Sequence, residues 1–134
     1  MLGKKVGTVT GSATNSLEPA VGASPRFSTV GEGSGSLVGV DVQCMVKFRS
    51  EMNIDGSLYG ECPNSGLLMA SDGVATFRAS GVGHFTETGG SSFRGAAYFQ
   101  ASAPSLSDLN GKAFVFHWEV DAAGSTVWDI WEWE

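Results

Sequence analysis

The sequence predicts an all-β protein, an antiparallel up-and-down β-barrel of about seven or eight strands with one short helical turn near residues 104–109. Three observations point there. Val38, Val40, Val42, Cys44, Val46 and Phe48 alternate with Asp41, Gln43, Met45, Lys47 and Arg49, and a period of two marks a strand with one buried face. The same alternation returns at Phe77–Phe85, Phe93–Ala101 and Phe114–Val120. Between these runs lie Asp-Gly and Gly-Gly pairs, which supply the positive φ of hairpin turns.

Taken in order, residues 1–35 read as a less regular N-terminal arm. It holds one or two glycine-interrupted strands near 6–13 and 26–31, loosely joined through Pro19 and Pro25. A strand over 36–51 turns at Asn53–Gly56, one over 57–70 turns at Ser71–Gly73, and one over 74–88 turns at Gly89–Ser91. After a strand over 92–102, Pro104 opens a helical turn that Asn110-Gly111 stops, following the preference for proline at the start of a helix and glycine after its end. Strands over 112–121 and 125–134 close the chain. Consecutive hairpins without a crossover helix favour a barrel, which removes exposed sheet edges.

At 134 residues the chain fits one domain, 1–134, large enough to bury a core. Its 19 glycines are spread among the strands, where they suit bends and close backbone approach. A net charge of −6 with no basic cluster beyond Lys4-Lys5 argues against nucleic acid as a partner. No apolar run follows the N-terminal lysines and none approaches the ~18 residues of a membrane helix. The expectation is therefore a cytoplasmic protein with no membrane partner.

Cys44 and Cys62 flank the Asn53–Gly56 turn. Folding about that turn sets Cys44 near Leu67 and Cys62 near Arg49, an offset of about five residues or roughly 17 Å at strand rise, too far for a disulfide. Free thiols are expected. Two histidines and scattered carboxylates lack the convergence a metal needs, and no phosphate loop or nucleophile motif is present, so no metal or cofactor is expected.

Candidate site residues fall in two sets. Phe48, Phe77, Phe85, Phe99, Phe116 and Trp118 would line the barrel interior opposite Ala79, Gly81, Gly83, Gly95, Ala97 and Ala101. Large residues facing small ones either interdigitate or leave room for one small ligand. The polar faces carry His84, Arg94, Tyr98, His117 and Glu119. His117 and Glu119, two apart on one strand, point the same way, as a carboxylate orienting an imidazole would. In the last strand Trp128 and Ile130 lie on one face, with Val127, Trp131 and Trp133 on the other. A strand apolar on both faces is covered on both. A homo-oligomer, a dimer for preference, is expected to use Trp128, Trp131 and Trp133, unless the N-terminal segment covers them.

Asp55–Glu61, Gly81–Phe85, Phe93–Gln100, Leu106–Gly111, Glu119–Gly124 and Ile130–Glu134 together resemble a family of uncharacterised bacterial β-barrel proteins. Glu61-Cys62-Pro63-Asn64-Ser65 departs from the glycine-rich stretch that the resemblance implies there, which bears on the shape of one barrel mouth. More remotely the layout is similar to calycin-like barrels, including those shaped like allene oxide cyclase. That similarity implies small apolar ligands and dimers or trimers, and it carries over no catalytic set. The leading expectation is a small barrel that binds an apolar molecule. A cofactor-independent cyclase or isomerase using His84 or His117 with Arg94 or Tyr98 is the second. An interaction module acting through the tryptophan-rich last strand is the third.

Overall fold

In the computed structural model, which describes residues 2–134, eight antiparallel strands form one closed ring in chain order. They are β1 (Leu2–Val21), β2 (Ser24–Leu37), β3 (Val40–Met52), β4 (Leu58–Ala70), β5 (Gly73–Phe85), β6 (Ser91–Ala101), β7 (Phe114–Val120) and β8 (Ser125–Trp133). A 3-10 helix, Pro104–Leu109, joins β6 to β7. β1 pairs with β8, so the hydrogen-bonded wall has no free edge.

The N-terminal third is the main departure from the sequence reading. Residues 2–37 are no loose arm but one long hairpin, in register from Gly7↔Leu37 to Glu18↔Arg26 and continuing to Val21↔Ser24. Its glycines lower strand propensity, yet the fold leaves no room for side chains at several of them: a methyl group on Gly11, for example, would collide with the Glu32 carbonyl oxygen across the ladder. Residues 36–37 also belong to β2, not to the strand that follows, because Val38 and Gly39 take positive φ and make the turn.

The two ends of the barrel differ. At the end where the 3-10 helix lies, Leu106 and Leu109 are fully buried together with Leu37, Leu68 and Phe114. Asn110 holds the Ala101 peptide at both groups, its amide donating to the carbonyl at 3.0 Å and its oxygen accepting from the N–H at 2.7 Å. The carboxylate of Asp72 accepts from the Ser105 N–H at 2.8 Å and hydroxyl at 2.6 Å. Next to this plug, Phe77, Phe99, Phe114, Phe116 and Trp128 fill the interior with ring centroids 5.0–6.2 Å apart in successive pairs, within the favourable range for aromatic pairs. At the other end the β1–β2 hairpin runs on past the last β8 partner, Ser12↔Ser125. There Phe27 meets Phe85 edge-on at 5.6 Å.

One strand is irregular in its middle. Between its pairs with Val46 and Arg49, three steps along β3, β4 takes five, from Gly66 to Glu61. Against β5 it takes four steps, Cys62 to Gly66, where β5 takes two. Pro63-Asn64-Ser65 therefore form a bulge with two extra residues, and Asn64 adopts φ +62°. The segment that departs from a glycine-rich stretch lies in the barrel wall, not at a mouth.

Candidate functional site

Alternation places the inward side chains, and their sizes decide where space remains. β4, β5 and β6 present Gly60, Cys62, Ala79, Gly81 and Gly95 toward the interior at neighbouring register positions. Opposite them stand Phe48, Phe93, Phe116, Trp118 and Trp128. A cavity of about 60 Å³ is left between Gly60, Cys62, Ala79 and Gly81 and these rings, bordered also by Val46, Phe77, Glu61 and Ser80. An engineered apolar cavity of about 150 Å³ holds benzene, so this one suits a group smaller than a benzene ring. Phe48 packs edge-on against both Phe93, at 5.9 Å, and Trp118, at 6.0 Å. Phe48, Ala79 and Trp118 are only half-buried although they face inward.

The lining is almost wholly apolar and carries one unanswered donor. The indole Nε1–H of Trp118 is buried and has no hydrogen-bond partner among the described residues. A buried donor left unpaired costs about 1–3 kcal/mol. Burial, then the neighbouring Cys62, push the Cys44 thiol up to about 12. Both cysteines are free. The register sets Cys44 opposite Leu68 and Arg49 opposite Glu61, each one residue from the position the turn predicts. Cys62 lies 3.5 Å through its Sγ from the Ser65 hydroxyl and 3.8 Å from the Phe77 carbonyl oxygen.

Four of the six aromatics expected to line the interior do so at the cavity: Phe48, Phe77, Phe116 and Trp118. Phe99 belongs to the filled half, and Phe85 stands at the open mouth, 44% exposed. Phe93 and Trp128 complete the lining. Phe93 lies in the alternation already visible in the sequence, whereas Trp128 belongs to a strand apolar on both faces, whose inner side the sequence does not mark.

The polar candidates do not converge on the cavity. His84, Arg94, Tyr98, His117 and Glu119 all point outward, on the positions alternate to the inward phenylalanines and Trp118. Glu119 pairs with Arg94 at 2.7 Å and not with His117. Burial alone would raise the Glu119 carboxyl; hydrogen bonds from Ser92 and Arg94, with the charges of Arg94 and His117, hold it below its ordinary value. The direct cross-strand partner of His117 is Asp129, whose carboxylate accepts from the Thr8 hydroxyl at 2.6 Å and pairs with the Lys5 ammonium at 2.9 Å. The His117 ring itself lies tilted against Trp131, with ring centroids 4.7 Å apart. The convergence that an isomerase reading requires is absent from this arrangement.

The three tryptophans assigned to a subunit interface have separate places. Trp128 is 4% exposed inside the barrel, and its indole is out of a partner's reach. Trp131 lies outside beneath His117, with the Lys5 ammonium 5.6 Å from its ring. Only Trp133, 53% exposed, stays open. The N-terminal strand thus supplies part of the cover that the doubly apolar last strand needs.

No family model and no curated protein matches the chain. Its fold is similar to that of a conserved protein of unknown function, RPA1785 from Rhodopseudomonas palustris, known from a crystal structure. The similarity has a TM-score of 0.79 and covers 98% of this chain and 97% of that one. At 16% sequence identity it establishes the shared barrel architecture and nothing of the activity.

Proposed function

We propose that this barrel binds a small apolar molecule whose inserted end carries one hydrogen-bond acceptor. The observation that carries the reading is the Nε1–H of Trp118, without a partner among the described residues, in a cavity otherwise lined mainly by aromatic rings and small residues. Binding pockets are mostly apolar with a few polar groups that fix orientation, and here the indole is that group. A ketone or ether oxygen would satisfy it, whereas water in this apolar space would find too few partners. The resemblance to calycin-like barrels points to the same class of ligand.

Two probes test the reading in wild type and in Trp118→Phe. Xenon, which has no acceptor, should enter both proteins and perturb tryptophan emission. 2-Hexanone should raise the melting temperature of the wild type by mass action, and its affinity should fall about tenfold in the variant, the equivalent of one modest hydrogen bond. Neither probe binding would overturn the proposal. Equal 2-hexanone affinity in the two proteins would remove the assigned role of Trp118.

A further inference from the structure

The bulge in β4 does more than bend the strand. The wall between β4 and β5 is hydrogen-bonded at Glu61↔Ser80 and Cys62↔Ala79, then is not paired again until Gly66↔Phe77. Pro63 has no N–H to offer, and Ser65 turns its hydroxyl to the Lys47 carbonyl on the β3 side. Immediately outside lies a groove of about 390 Å³, lined by Tyr59, Pro63, Asn64, Arg78 and Tyr98. Glu61, Cys62, Ala79 and Ser80 border both this groove and the interior cavity. At this point the two spaces are separated by the backbone of two strands and the Cys62 side chain, with Gly60, Gly81 and Ala79 adding little bulk beside it.

The groove has its own chemistry. Arg78 is exposed and has no carboxylate partner within salt-bridge distance among the described residues. It faces Tyr98 directly across the β5–β6 ladder. The one carboxylate in the groove, Glu61, lies opposite Ser80 and accepts from the Tyr59 hydroxyl at 3.3 Å. The Arg78 end is therefore open to an external anion. A guanidinium is well suited to a carboxylate because its planar fork matches the two oxygens.

We propose that the β4 bulge is a side entrance to the cavity and that the ligand is a short oxo acid, its ketone end inside near Trp118 and its carboxylate outside on Arg78. This rests on the apolar-ligand reading above and adds the head group and the route. An acid of this kind has one acceptor for the buried indole, a few methylenes to cross the wall, and one charge for the groove.

The test compares 2-hexanone with 6-oxoheptanoate, the same ketone end carrying a carboxylate, by tryptophan emission in wild type, Arg78→Gln and Arg78→Lys. The acid should bind the wild type at least about tenfold more tightly than the ketone. Arg78→Gln should erase that advantage and leave 2-hexanone unchanged, and Arg78→Lys should restore part of it. A ketone that binds while the acid gains nothing, or gains equally in Arg78→Gln, overturns the oxo-acid assignment and spares the apolar-ligand reading. If neither binds, both fall. For the route, N-ethylmaleimide labelling followed by peptide mapping should modify Cys62 before Cys44, and saturating 6-oxoheptanoate should slow it. A Cys62 that never labels, or labels at the same rate with the acid bound, overturns the side entrance.

Discussion

Asp129 condenses the electrostatics of the outer face into one side chain. Burial by itself raises its carboxyl, but the hydrogen bonds from Lys5 and Thr8 and the charges of Lys5 and His117 hold it below its ordinary value of 3.8. A carboxyl whose folded pKa is depressed adds stability above its unfolded pKa and loses it as pH falls through the folded value. Asp129→Asn lacks this contribution at every pH. At pH 7 and low salt the wild type should exceed the variant by about 0.5–1 kcal/mol, the scale of a half-exposed pair, and the gap should close below pH 3.8 and shrink in high salt. Urea midpoints measured across pH check this, and a gap that persists in acid would mean a packing defect instead. The candidate site was legible at the same scale where alternation was clean, as with Phe48, Phe77, Phe116 and Trp118. Trp128 was not, because a strand with tryptophan or isoleucine on both faces carries no mark of which side is in. The orphaned indole was invisible as well, since lack of a partner is a property of three-dimensional neighbours.

Among the elements, the 3-10 helix Pro104–Leu109 has the clearest mechanical role. Proline at its start and Asn110-Gly111 after it made it readable in the sequence, and Gly111 takes φ +74° where the chain turns away. Its two leucines are fully buried among Leu37, Leu68 and Phe114, so they seal one end of the barrel. Leu106→Ala should cost about 2–5 kcal/mol, the range for a large-to-small change in a tightly packed core, read as a lowered denaturation midpoint with an unchanged slope. A loss below about 1 kcal/mol would place the seal elsewhere. Strands β3, β5, β6 and β7 were legible because period-two patterning runs along them, and the turns at Asp55-Gly56, Asp72-Gly73 and Gly89-Gly90 marked the hairpins between β3 and β6. The β1–β2 hairpin was not, since its glycines and its two prolines argue locally against strand while pairing across the barrel overrides them. The β4 bulge was hidden for another reason: residues 57–70 read as one strand, and only the register against its neighbours shows the two extra residues at Pro63-Asn64-Ser65.

At the scale of the whole molecule, closing the ring joins β1 to β8, the elements farthest apart in the chain, and long-range pairing of this kind slows folding. The ring is not uniformly packed. One end is plugged and filled by aromatics; the other holds the cavity, the Phe27–Phe85 contact and a hairpin tip whose β1 strand has no β8 partner beyond Ser12. Leu17, 76% exposed, lies in that outer part. Local opening should follow this gradient, since segments with few buried apolar contacts open at little cost. Amide hydrogen exchange should be fastest over residues 14–25 and slowest at Leu37, Leu68, Phe99 and Ile130. Saturating 2-hexanone should slow exchange around Cys62, Ala79 and Trp118 while leaving the outer hairpin unchanged. Uniform protection along the chain would mean that the barrel opens only as a unit, and a ligand would then have to enter by way of global unfolding. A gradient with protection gained at those three positions locates ligand binding in the half of the barrel that the packing leaves open.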